Sequence, residues 1–249
     1  MKKVLKKILK SVYIYIFQPI LIFTNFILLI VVRFFLVKKY FLENQSRKLH
    51  LGAGSSFNNG WLTSDLTPKI IGKTIYIDAT KKLPFKDDSF DYIYCEHMIE
   101  HISYEQAECM LKECSRVMNK GGKIRVSTPD LDRYLSLFDL NKTKIQEDFL
   151  IFMKSNWLGK FDNNENIPYH ILNLNMHAWG HQYIYCYSTL SEQLTKQGFV
   201  NLKRYDNDYS DTHSLQKLEK HAYTLESRGV KDAVRMVNFE SMNIEAVKE

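Results

Sequence analysis

Leu49-His50-Leu51-Gly52-Ala53-Gly54 ends an apolar run in a Gly-x-Gly turn, and Thr63-Ser64-Asp65-Leu66 follows about a dozen residues later. Glycine at the end of a strand lets backbone approach a ligand closely, and a carboxylate at the tip of the next strand accepts both hydroxyls of a ribose. Together they point to a nucleoside-containing cofactor. Histidines at 97, 177 and 181 add side chains able to take a proton near neutral pH. His97-Met98-Ile99-Glu100-His101 also fits the H-x-x-E-H pattern of zinc hydrolases. That pattern needs a helix and a third ligand, whereas here it follows an expected parallel strand, so no metal is expected.

The elements that must hold these residues alternate. Thr74 to Ala79 reads as a third strand, Phe90 to Glu96 as a fourth after the turn Leu83 to Ser89, and Lys123 to Ser127 as a fifth. Between the last two, apolar Ala107, Met110, Leu111, Cys114 and Val117 have helical spacing over Tyr104 to Met118, and Lys120-Gly121-Gly122 closes that helix. Asp130 to Phe138 reads as a further helix. Phe199 to Tyr205 reads as a sixth strand and Ser241 to Val247 as a seventh, with a helix near Leu215 to Leu225. The expected fold is an α/β, Rossmann-like, doubly wound and mostly parallel seven-stranded sheet, with an N-terminal hydrophobic helical segment.

The series LGAG, SDL, IDATKKLPFKDDSFDYIYCEHMIEH and LKECSRVMNKGGKIRVSTPD resembles the class I methyltransferases that use S-adenosylmethionine, in the methyltransferase type 11-like branch where a short loop replaces the first helix. The resemblance covers roughly Lys48 to Asp130. It implies that Gly52, Ala53 and Gly54 lie against the methionine part of the cofactor, that Asp65 binds the ribose, and that Asp78 and Ala79 meet the adenine. Glu96 would border the cofactor, with His97 beside the transferred methyl group and the acceptor. His50 stands where the family has an acidic residue, and Ser56 where it has a third glycine. The short loop Ser55 to Trp61 leaves no helix N-terminus for a pyrophosphate, which argues against NAD, FAD and nucleotide sugars.

In this reading the protein is a methyltransferase of an unknown acceptor, a small molecule or a hydroxyl of a cell-envelope glycan or lipid-linked intermediate. The competing reading is a non-catalytic membrane-associated scaffold. Residues 140–181 are expected to form a substrate lid, bringing His177 and His181 to the acceptor. His181, Tyr183, Tyr185 and Tyr187 alternate as one face of an extended segment, suited to stacking on a sugar or to packing under the lid. Thr189 with Glu192 forms a capping box for the helix that Gly198 ends.

Charge separates the chain into two parts. Residues 1–47 carry a formal charge of +8 and the remaining residues −2, so the excess of +6 gives no nucleic-acid signal and no nucleic-acid partner is expected. From Val12 to Val37 the chain is apolar, interrupted by Gln18-Pro19, Thr24-Asn25 and Arg33. Residues 1–43 are therefore expected to form a membrane-associating segment and linker, and 44–249 the methyltransferase domain. Contact with the membrane surface falls on residues 1–37, as a helix in the interface or a hairpin bent near Pro19. A cytosolic cofactor places the domain in the cytoplasm, at the inner face of the membrane. Cys95, Cys109, Cys114 and Cys186 lack C-x-x-C spacing and fit free thiols in a reducing compartment.

Overall fold

The computed structural model describes residues 18–69, 72–159, 161 and 164–249, with side chains from Ile27 onward, residue 164 aside. The basic arm carrying Lys2, Lys3, Lys6, Lys7 and Lys10 lies outside the described residues.

Helix α1 (Gln18–Glu43) is followed by strands β1 (Lys48–Leu51), β2 (Leu62–Asp65), β3 (Thr74–Tyr76) and β4 (Phe90–Glu96). Then come α2 (Tyr104–Val117), β5 (Met118–Pro129), α3 (Leu131–Leu135), α4 (Lys144–Trp157), α5 (Ile167–His177), α6 (Tyr187–Lys196) and β6 (Phe199–Tyr205). The chain closes with α7 (His221–Ser227), α8 (Ala233–Glu240) and β7 (Ser241–Lys248). The seven strands lie in the order β3-β2-β1-β4-β5-β7-β6. The first five are parallel, and β7 runs antiparallel between β5 and β6. Strand order reverses between β1 and β4, and an open parallel sheet offers its ligand crevice at such a switch point.

The two faces of the sheet differ in chemistry. Leu49, Leu51, Ile93, Cys95, Ile124, Val126, Ile244 and Ala246 belong to one apolar core with Ala107, Met110, Leu111, Cys114 and Val117 of α2. Their alternation along the strands sends the intervening residues to the opposite face. There a single register row runs Thr63, His50, Tyr94, Arg125, Glu245 across β2, β1, β4, β5 and β7, and all five are buried. Among the described residues no long helix covers this row. Segment 206–220 does, with Leu215 and Leu218 packed on Tyr94 and Trp61.

Arg125 fastens that cover. It donates from Nε to Glu219 at 2.6 Å and from Nη1 to Glu245 at 2.7 Å, and reaches the carbonyls of Tyr209 and Asp206 at 3.0 and 3.1 Å. One residue beyond Glu219, the Lys220 and His221 amides donate to the Glu96 carboxylate at 2.8 and 2.7 Å. The same segment is therefore tied to the sheet at two adjacent rows.

Several elements differ from the sequence expectation. β3 stops at Tyr76, so Asp78 and Ala79 follow it in a turn. Residues 181–186 form no strand: Tyr185 is fully buried, and Tyr183 and Tyr187 pack against the core, so the aromatic alternation serves packing. The cap of α6 is Cys186 with Thr189, three residues earlier than Thr189 with Glu192. The helix expected near 215–225 is a single 3-10 turn at His213–Leu215 and then α7, because residues 216–220 are drawn out along the sheet. α1 begins at Gln18 and runs on past Pro19; the preceding arm of the expected hairpin lies outside the described residues. Its C-terminal part packs on the domain, with Tyr40 donating to the Gly60 carbonyl at 3.0 Å and Phe41 stacked on Phe85 and edge-on to Phe90.

Removing the guanidinium would leave two buried carboxylates facing each other. Arg125→Met is expected to destabilise the fold by about 3–5 kcal/mol, read from urea unfolding of variant and parent. A loss below about 1 kcal/mol would show that segment 206–220 is held by its apolar contacts alone.

Candidate functional site

The C-terminal ends of β1, β2 and β3 bring the first group of expected site residues to one edge of the sheet. Gly52 and Gly54 both have positive φ, +64° and +57°, as a strand end turning sharply requires. A Cβ on Gly52 would stand 2.2 Å from the Met98 Cγ, so the close approach at this glycine is made by Met98. A Cβ on Gly54 would meet nothing within 4 Å. Asp65 accepts from the Gly54 amide at 2.7 Å through one oxygen and from the Thr67 amide at 2.7 Å through the other, which ties the glycine turn to the end of β2. Ala53 is buried, its amide donating to the Ser64 carbonyl at 2.9 Å. Asp78 accepts from the Thr80 hydroxyl at 2.6 Å and pairs with Lys81 at 2.9 Å. Burial opposes its charge, but these partners outweigh it and hold the carboxyl below its usual range.

His50 occupies the row beneath this edge. Neither ring nitrogen has a partner, its ring lies 4.8 Å from that of Tyr94, and burial lowers its pKa to about 4. It is a neutral side chain where the resembled family carries an acid, so its contribution is packing.

A cavity of about 470 Å³ opens beyond the ends of β4 and β5. His97, Glu100, His101, His181, His221 and Glu240, with Asn175 and Arg228, supply its polar wall; Phe152, Met153, Trp157, Trp179, Leu225 and Val237 line the apolar one. Two of the three expected catalytic histidines, His97 and His181, meet here. His177 does not: it is exposed and lines a separate depression with Phe161 and His170. Glu96 is turned to the Lys220 and His221 amides, and burial raises its pKa.

His97 follows β4 with φ of +44°, a left-handed conformation unusual for a side chain with a Cβ, and its amide donates to the Ser127 carbonyl at 2.9 Å. Its Nδ1 lies 3.2 Å from Glu100 and its Nε2 3.1 Å from the Ser241 hydroxyl. Burial would lower this imidazole, yet the hydrogen bond and charge of Glu100, with Glu96 and Glu240 behind it, raise its pKa to about 9. His221 stacks on it with centroids 4.4 Å apart. Burial first, and then the His97 charge, push His221 down to about 3. Burial also lowers His181. The cavity thus holds the His97 imidazolium on Glu100 beside the neutral rings of His181 and His221.

Sequence reading missed His101, His221, Glu100 and Glu240. Glu100 and His101 were visible in the H-x-x-E-H run, although its geometry differs: residues 99–101 form a 3-10 turn, and His97 precedes it. His221 and Glu240 carried no local signal, because the antiparallel return of β7 and the tie at Glu96 bring them in from over a hundred residues away.

Residues 49–126 match the model of the methyltransferase domain family. Over those residues the chain is similar to a methyltransferase domain, and the strand order above is the doubly wound, mostly parallel one expected from the sequence. Two uncharacterized proteins of Methanocaldococcus jannaschii are similar, one 31% identical over 138 residues (48% of this chain, 54% of the relative), the other 32% identical over 74 residues (29% and 35%). The chain spans about half or less of these curated relatives. Among solved structures, a SAM-dependent methyltransferase from Archaeoglobus fulgidus aligns with 88% of this chain and 94% of its own at 16% identity and a TM-score of 0.46. Phosphoethanolamine N-methyltransferase 2 of Haemonchus contortus, in complex with S-adenosyl-L-methionine, aligns with 87% and 52% at 15% identity and a TM-score of 0.42.

The buried neutral His50 sets an acid limit on stability. An unfolded chain protonates this imidazole near 6.5 and the folded one only near 4, so between those values the unfolded state binds more protons. Its contribution is complete above pH 6.5 and is lost as pH falls toward 4, by on the order of 3 kcal/mol. His50→Leu is expected to flatten the fall in unfolding free energy between pH 6.5 and 4.5; an unchanged slope would show that His50 is not the group responsible.

Proposed function

We propose that the protein transfers the methyl group of S-adenosylmethionine to an acceptor bound in the cavity at the ends of β4 and β5. The observation that carries this reading is adjacency: the glycine turn and Asp65 stand on one side of the sheet's switch point, and the imidazole-lined cavity on the other. The cofactor, where bound, supplies an activated methyl carbon, and Gly52, Ala53, Gly54, Asp65, Asp78 and Ala79 are the residues assigned to hold it. Both Asp65 oxygens already accept backbone amides, and a carboxylate has further lone pairs for a ribose.

The chain's own task is alignment and proton handling. His97, paired with Glu100, has no free lone pair and serves to organise the wall. Neutral His181 and His221 are the groups able to accept from an acceptor hydroxyl. Trp157 and Trp179, with ring centroids 6.0 Å apart, give this cavity flat apolar faces of the kind that a sugar or other ring uses, which supports a glycan hydroxyl as acceptor. Glu96, through the His221 amide, is a positioning residue for that wall.

We also assign α1 to the membrane surface. Among the described residues no helix is long and apolar enough to cross a membrane. Ile27, Leu28, Val31, Phe34 and Phe35 are exposed at helical spacing, an apolar face suited to lying in the headgroup region at the inner face of the cell membrane. This arrangement would keep the domain in the cytoplasm, where the cofactor is made, and hold it near lipid-linked acceptors.

Titration calorimetry of the full chain is expected to show binding of S-adenosylmethionine and S-adenosylhomocysteine but not of NAD or UDP-glucose. Asp65→Ala should weaken that binding at least about a hundredfold, as the loss of two charge-assisted hydrogen bonds implies; unchanged affinity in a folded variant would refute the assignment. For α1, Phe34→Glu with Phe35→Glu should reduce co-sedimentation with anionic vesicles severalfold. Equal sedimentation would remove the membrane role.

A further inference from the structure

The turn at residues 99–101 and the extended segment after α5 are fastened to each other by backbone. The Glu100 carbonyl accepts from the Gln182 and Tyr183 amides at 2.7 and 3.3 Å, and the Gln182 side chain donates to the His101 carbonyl at 2.8 Å. A carboxylate oxygen of Glu100 and one ring nitrogen each of His101 and His181 consequently lie within 4.8 Å of one another. The His101 and His181 ring centroids are also 4.8 Å apart.

Two ligands of such a set, His181 and Glu100, are held from behind. His181 Nδ1 lies 2.6 Å from the Asn175 carbonyl oxygen, which places the proton on Nδ1 and leaves the Nε2 lone pair free for coordination. Glu100 is fully buried and accepts from the Thr128 hydroxyl at 3.0 Å. With metal–ligand bonds of about 2.0–2.2 Å, donors on one ion stand roughly 3–3.5 Å apart, so side-chain shifts on the order of an ångström close the set. All three residues line the 470 Å³ cavity, so the free positions of an ion held there would face the acceptor space.

We propose that Glu100, His101 and His181 bind a divalent transition-metal ion in the wall of this cavity. Two imidazoles with one carboxylate suit Zn²⁺, Fe²⁺, Co²⁺ or Mn²⁺ better than the all-oxygen coordination of Mg²⁺ or Ca²⁺. The H-x-x-E-H run contributes through its last two residues, with His181 as the third ligand, while His97 serves Glu100 from behind. What the ion does rests on the methyl-transfer reading. The ion would take up the His181 lone pair, so an acceptor hydroxyl on the ion would give its proton to His221 or water in place of His181, and more readily than an unbound one. Its oxygen then forms the bond to the methyl carbon as the carbon–sulfur bond breaks, and the sulfonium leaves as a neutral thioether.

The test uses the full chain, stripped with chelator and titrated with Co²⁺ by visible absorption and with Zn²⁺ by calorimetry; S-adenosylhomocysteine binding is measured on the same samples. One ion per chain is expected. His101→Ala, His181→Ala and Glu100→Gln should each weaken binding at least about tenfold, and His213→Ala, on an exposed turn, should leave it unchanged. Circular dichroism and thermal unfolding confirm that each variant is folded, with His181→Gln standing in if His181→Ala is not. No saturable binding to the folded parent, or binding untouched by all three cavity variants, overturns the site. Adenosyl binding without the ion would overturn the ion site alone. Ion binding without adenosyl binding supports the site while refuting the methyltransferase reading.

Discussion

Arg125 sits fully buried between Glu219 and Glu245, and the side of the sheet around it depends on that contact. Where a short loop follows β1, there is no helix to cover the row Thr63, His50, Tyr94, Arg125, Glu245, and an irregular segment has to do so. Such a segment brings its own backbone polar groups, which need partners out of water. Arg125 answers two of the carbonyls and both carboxylates, Glu219 takes the Asp208 amide at 2.9 Å, and Ser210 donates to Glu245 at 3.0 Å. Replacing one helix with a cross-linked strap is costly in desolvation, and the geometry around the guanidinium is what offsets it.

The strap then reaches the chemistry. Immediately after Glu219, two amides close on Glu96, and α7 begins with His221 stacked on His97. Buried charge in one row of the sheet thereby helps set the position of an imidazole at the next row. Within the cavity, Glu100 makes His97 cationic, and a neutral His221 can stack on it without like-charge repulsion. The positive φ at His97 is part of the same device, since a regular continuation of β4 would carry the ring past both Glu100 and Ser241.

The strands and α2 were legible in the sequence because their signals are local: β-branched and apolar runs, the spacing Ala107, Met110, Leu111, Cys114, and glycines where the chain turns. The seven-stranded, mostly parallel sheet with its antiparallel β7 follows that reading. What escaped it depends on tertiary partners. Nothing in Lys123-Ile124-Arg125-Val126-Ser127 marks Arg125 as buried until Glu219 and Glu245 face it. The alternation from His181 to Tyr187 suited either a stacking strip or packing under the lid, and Tyr185 turns inward with its hydroxyl 3.2 Å from Gln193, as packing requires. Cys186 is a rare cap, and Thr189, the residue whose chemistry signalled a helix start, serves as its partner instead. His177 and His181, four residues apart in sequence, part company because α5 ends at His177 and the chain turns through Trp179 at φ +56°.

In the proposed reaction a cofactor cleft at β1–β3 and an acceptor cavity beyond β4 and β5 meet across the switch point. A crystal structure of the full chain with S-adenosylhomocysteine tests it most directly. The ribose is expected on Asp65, the adenine beside Asp78 and Ala79, Met98 displaced or packed against the ligand, and the sulfur directed toward the cavity bearing His97, His181 and His221. A ligand bound elsewhere, or one whose sulfur is walled off from that cavity, would contradict it.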